Sequence, residues 1–70
     1  MMTLKYLRSL DNEKLRKEYE YNRNWQLRWF DIYEDYYKVG KRDKDVSRHL
    51  EEYTKAIEKI NKVLKERGVR

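Results

Sequence analysis

The sequence contains no cysteine and no proline, only two glycines and a single histidine. Without cysteine there is neither a disulfide framework nor a thiolate metal cluster, the staples on which very small domains often rest. Without proline, and with glycine confined to Gly40 and Gly68, the punctuation that sheets with tight turns require is missing, and a few long helices are favoured. Long apolar runs are absent too. The longest candidate, Trp29-Phe30-Asp31-Ile32-Tyr33, is broken by Asp31, so no segment reads as a membrane span or a signal peptide. These absences predict a soluble, cytoplasmic, all-α protein.

What is present is charge and aromatic surface. Of 70 residues, 44% are charged and 39% hydrophobic, so one domain at most can form, with a thin core that needs close packing or partner subunits. Seven tyrosines, two tryptophans and one phenylalanine are too many aromatics for a disordered tail.

Helix punctuation divides the chain. Asp11 stands as an N-cap, with Glu13 near the positive end of the helix dipole and Leu10 and Leu15 at the two staple positions. From there a helix runs over 11–39 without a breaker, to Gly40 as the left-handed residue past its end. Residues 40–43 form the turn. A second helix over 43–67 is capped by Asp43, or alternatively by Asp45, and ends at Gly68, with Val69 placed to contact Leu64. So short a loop makes the two helices antiparallel neighbours, and 11–70 a helical hairpin. Residues 1–10 form a separate arm in which Leu4, Leu7 and Leu10, with Thr3 as a cap, suggest a short helical turn folded over the open end of the hairpin.

The second helix carries Val46, Leu50, Tyr53, Ile57, Ile60 and Leu64 in 4-3-4-3-4 spacing, the narrow seam of a coiled coil. On the first helix, Leu15, Tyr19, Trp25, Trp29, Phe30, Ile32, Tyr33, Tyr36 and Tyr37 spread over an arc of roughly 160°, too wide for one partner helix. Most of these rings are expected to be buried in the hairpin or in a dimer. The surplus must meet the arm, a second copy of the chain or another protein, and a homodimer forming a four-helix bundle is the simplest solution. That plan is shared with small helical-hairpin regulators, but architecture does not fix function. Asn22 and Gln26 project into the centre of the arc. They can fix register between subunits, mark a wet partner-binding patch, or lie at the edge of the core. Tyr21 and Leu27 fall outside the arc and are expected to be exposed, which makes them candidates for an external contact along with Trp25.

Catalysis has little to work with. His49, with Asp45 and Glu52 on the same helical face, offers at most a poor metal or acid/base site, and reads first as a surface histidine. Ser9 and Ser47 have no recognisable base context, and no phosphate loop, nucleophile elbow or His-Glu motif occurs. No enzyme activity, cofactor, metal or small-molecule substrate is expected. Acidic residues such as Asp31, Asp35, Glu51 and Glu52 on the polar faces argue against binding to an anionic membrane.

The net charge of +5 is uneven: +2 over residues 1–10, −1 over 11–38, 0 over 39–58 and +4 over 59–70. In an antiparallel hairpin, Lys5, Arg8, Lys59, Lys62, Lys65, Arg67 and Arg70 therefore gather into one basic pole. Such a pole attracts phosphates or acidic protein surfaces, although cations at a helix end also complement its dipole. Neither helix has the dense Arg, Asn and Gln stripe that reads bases directly. The sequence thus predicts a small non-enzymatic interaction module, a regulator or inhibitor of the kind compact phage genomes encode, presenting a rigid helical surface to a larger protein, such as one that acts on nucleic acid. A helical dimer that binds nucleic-acid backbone through the basic pole is the alternative.

Overall fold

The computed structural model describes residues 3–68, so Arg70 of the basic pole and the expected contact from Val69 lie outside the described residues. Three helices follow in order: α1 (Leu4–Ser9), α2 (Asn12–Lys38) and α3 (Lys44–Glu66). Among the described residues there is no strand, and no helix is long and apolar enough to cross a membrane. The protein is all-α, with α2 and α3 forming the helical hairpin.

Local chemistry explains each boundary. Thr3, Asp11 and Asp43 stand in extended conformation before the three helices, and each side chain accepts a hydrogen bond from a first-turn amide: Tyr6, Lys14 and Asp45 respectively. At the end of α2, the Gly40 N–H donates to the Tyr37 carbonyl at 3.1 Å and the Lys41 N–H to the Tyr36 carbonyl at 2.9 Å. That pair of bonds is the Schellman motif, and it requires the left-handed backbone that Gly40 adopts at φ 74°. Gly68, at φ 73°, takes the same left-handed backbone after α3, where its N–H donates to the Lys65 carbonyl at 3.0 Å.

The core sits at the open end of the hairpin. Leu7 of α1, Leu15 of α2, and Ile60 and Val63 of α3 form a sealed cluster, with Leu4, Leu10, Tyr19 and Leu64 packed around it. Burying a large aliphatic side chain contributes roughly 1.5–3 kcal/mol, so these few residues carry much of the stability of so small a chain. Outside the cluster, Val46 and Ile57 are buried along the α2–α3 seam.

Two expectations need correction. The 4-3-4-3-4 seam omits the residue that is sealed at its end: Val63 is fully buried, while Leu64 packs against the cluster and, like Leu50 and Tyr53, is half-buried. A seam drawn for one neighbour misses α1, which arrives on the flank of α3. Val63, turned about 100° from Leu64, faces that third helix. Nor does the hairpin by itself bury the rings of α2, the first of the two places expected for them. Phe30, Ile32, Tyr33 and Tyr37 are exposed, and Tyr19, Trp25, Trp29 and Tyr36 are half-buried, because no third helix covers the turn end.

Candidate interaction surfaces

The chain measures 43 × 19 × 15 Å, so beyond the sealed end it is a single layer of two helices with both broad faces bare. On one face, Tyr21, Trp25 and Arg28 follow one another at i, i+4 and i+7 along α2, the spacing that stacks side chains over a single face. Trp25 is the centre of this ridge. Its ring stacks on Tyr53 of α3 at 6.3 Å between centroids with 13° between planes. Tyr21 meets it edge-on at 6.5 Å and 66°, and the Arg28 guanidinium lies 5.5 Å from the indole centroid. Offset stacking and edge contact each add about 0.5–1.5 kcal/mol and an exposed cation–π contact about 0.5–1 kcal/mol, which biases the three side chains towards one arrangement. Asn24 completes a shallow recess beside Tyr21, Trp25 and Arg28.

A second aromatic layer closes the hairpin nearer the turn. Trp29 stacks on His49 at 4.4 Å with 20° between planes, and His49 Nδ1 lies 3.9 Å from a Glu52 carboxylate oxygen. The sole histidine is therefore a packing residue with one acidic neighbour. Among the described residues, no group of three His, Cys, Asp or Glu is arranged to hold a metal ion.

Asn22 and Gln26 have different fates. Asn22 is buried, and its side-chain amide donates to the Glu18 carbonyl one turn back, at 2.7 Å. Gln26 spans the hairpin: its amide nitrogen donates to the Thr54 hydroxyl at 2.9 Å, and that hydroxyl donates to the Leu50 carbonyl at 2.8 Å. Arg23 in turn donates to the Gln26 side-chain oxygen. Gln26 thus fixes the register of α2 against α3 within one chain, and among the described residues no buried side-chain nitrogen or oxygen lacks a partner.

Tyr21 and Leu27 are both exposed, at 58% and 49%. They do not belong to one patch. By helical rotation Leu27 lies about 160° from Trp25 around α2, on the other broad face, where Arg23, Gln26, Leu27, Phe30, Leu50 and Thr54 line a groove. Next to it, Tyr33 and Tyr37 stack at 6.4 Å. The ridge residues that sequence reasoning missed are Arg28, whose charge reads as solvation, and Tyr53, which the spacing assigns to the seam alone. The spacing Tyr21, Trp25, Arg28 was the signal for the first.

At the basic pole, much of the charge is engaged. Arg8 holds Glu66 through two parallel bonds, Nε to Oε1 at 3.2 Å and Nη2 to Oε2 at 3.0 Å. Those hydrogen bonds, with the positive charges of Arg8, Lys62 and Arg67, hold the Glu66 carboxyl below the usual carboxylate range against a small loss of hydration. Arg67 donates to the Asn12 side chain at 3.0 Å and to the Arg8 carbonyl at 2.8 Å. The two arginines clamp α1 onto the ends of α2 and α3. Lys5, Lys62 and Lys65 are exposed around the clamp and Lys59 is half-buried. No family model, curated protein or solved structure matches this chain.

Proposed function

We propose that the protein is a non-enzymatic interaction module, a regulator that presents the Tyr21–Trp25–Arg28 ridge to a larger protein and self-associates through the opposite face. The observation that carries this reading is the composition and order of the ridge. Tryptophan, tyrosine and arginine are the residue types that dominate binding hot spots, and here the three are mutually packed and backed by Tyr53. A prearranged ridge loses little side-chain freedom on docking, so more of its contact energy reaches the affinity.

Tyr21→Glu and Arg28→Glu test the reading, because both side chains are exposed and neither lies in the sealed core. With the full chain immobilised as bait in lysate of the cell that encodes it, the wild type retains a specific protein. Each variant, with unchanged helicity, loses it by about tenfold or more, as hot-spot substitutions of about 2 kcal/mol do. Retention unchanged by both substitutions rejects the ridge. The phosphate-binding alternative is checked by anisotropy of labelled single- and double-stranded oligonucleotides at two salt concentrations. Micromolar binding that weakens steeply with salt moves the functional surface to the basic pole. The engagement of Arg8 and Arg67 in the α1 clamp speaks for the ridge instead.

A further inference from the structure

α2 carries a second stripe, distinct from the face it packs on α3. Glu20, Arg23, Leu27, Phe30, Glu34 and Tyr37 follow one another in strict 3-4-3-4-3 spacing, and all six are exposed. A stripe of this spacing is a helix-pairing seam, and this one is apolar only around Leu27, Phe30 and Tyr37. Leu50 of α3 lines the same groove as Leu27 and Phe30, so the apolar centre extends onto the second helix at that level. Leu27 and Phe30 are 49% and 46% exposed, a cost in water that a symmetric cover would remove.

We infer that the occupant of this seam is a second copy of the chain, with the two α2 helices antiparallel about a two-fold axis between Leu27 and Phe30. This rests on the self-association proposed above and names its geometry. The order of charges supports it. Antiparallel pairing about that axis sets Leu27 against Phe30 of the second copy, Arg23 against Glu34, and Glu20 against Tyr37 and the adjacent Lys38. Symmetry makes every such contact twice. A parallel pairing in register would instead set Arg23 on Arg23, Glu20 on Glu20 and Glu34 on Glu34, like charges throughout. One like-charge opposition occurs in the antiparallel form, Arg16 near Lys41, at the solvated rim where salt screens it. Among the described residues, neither Arg23 nor Glu34 has an ion pair within its own chain; Arg23 donates to the neutral Gln26 side chain, so its charge still lacks an acidic partner that the cross-pair would supply. The ridge lies on the other side and stays accessible in the dimer.

Sedimentation equilibrium of the full chain at low ionic strength tests the geometry, with circular dichroism as the control for folding. The wild type is expected at twice the 8.9 kDa chain mass in the micromolar range. Arg23→Glu and Glu34→Arg, each reversing two symmetry-related pairs, raise the dimer dissociation constant by about tenfold or more. The double variant R23E/E34R restores the attraction and returns the constant to within a few-fold of wild type. A wild-type chain that is monomeric throughout overturns both the self-association and this geometry. A wild-type dimer that ignores both single substitutions, or a double variant no tighter than the singles, overturns the geometry alone.

Discussion

Replacing Leu7 by alanine separates the contribution of α1 from that of the hairpin. Leu7 is fully buried and is the one buried residue of a six-residue helix. A helix that short has no stability of its own in water, so its order depends on this anchor and on the arginine clamp. Leucine-to-alanine changes in sealed cores cost about 2–5 kcal/mol. At about 0.05–0.15 kcal/mol per residue, a chain of this length has about 4–10 kcal/mol in total, so the loss is a large share of the whole. If the truncated α1 releases, the loss saturates at the free energy with which α1 docks, and Leu15, Ile60 and Val63 become wet. We therefore expect a loss of about 2–4 kcal/mol. Denaturant unfolding followed by far-ultraviolet circular dichroism and by tryptophan fluorescence reads it, since Trp25 and Trp29 report from the two-helix half. Tyr6→Ala, which removes a side chain 46% exposed on the same helix, serves as the control and should change stability little. A loss below about 1 kcal/mol for Leu7→Ala would refute the placement of the core beneath α1.

Three further perturbations follow from the geometry. The Glu66 carboxyl is held below its ordinary range in the folded chain, so its contribution is present at neutral pH and is lost as pH falls through that lowered value; Glu66→Gln should abolish this part of the acid sensitivity in pH-dependent unfolding, and an unchanged pH profile would contradict the Arg8 pairing. Gly40→Ala meets no neighbour but must hold φ near 74°, so it should cost about 1 kcal/mol and lower the thermal midpoint by about 4–8 °C, with Gly40→Asn less damaging. Thr54→Val leaves the Gln26 amide without its acceptor and should cost about 1 kcal/mol, whereas Gln26→Leu combined with Thr54→Val should cost less than the sum of the two single changes; additivity in that cycle would mean the bond carries no coupling.

The helices were legible in the sequence because their signals are local. Asp11, Asp43, Gly40 and Gly68 act within one turn of their own positions, and a cap needs no knowledge of the rest of the chain. Burial was less legible because it depends on how many neighbours a helix has. Val63 became core, and Leu50 and Tyr53 only partly so, through where α1 lies along the hairpin. The long-range polar pairs were not legible at all. Arg8 with Glu66 and Arg67 with Asn12 are 58 and 55 residues apart, and nothing in a basic segment says which cation will be used inside the fold. At the candidate site, exposure of Tyr21 and Leu27 follows from helical phase, and both are exposed. Their separation onto opposite faces follows from the same phase once α3 is placed between them. Arg28 was hidden by its charge: a guanidinium on the solvent side of a helical wheel looks like solvation until a ring is found beneath it.

The sealed cluster and the aromatic ridge share no residue, and that separation has a consequence for how the chain can change over generations. Leu7, Leu15, Ile60 and Val63 hold the three helices together at one end, so their replacement removes a large share of the stability whatever the ridge looks like. The ridge, by contrast, hangs on a hairpin that the other end already closes. Substitutions at Tyr21, Asn24 and Arg28 can accumulate while the fold stays above its stability threshold, since exposed substitutions cost little. The molecule is built so that innovation and maintenance fall on different residues.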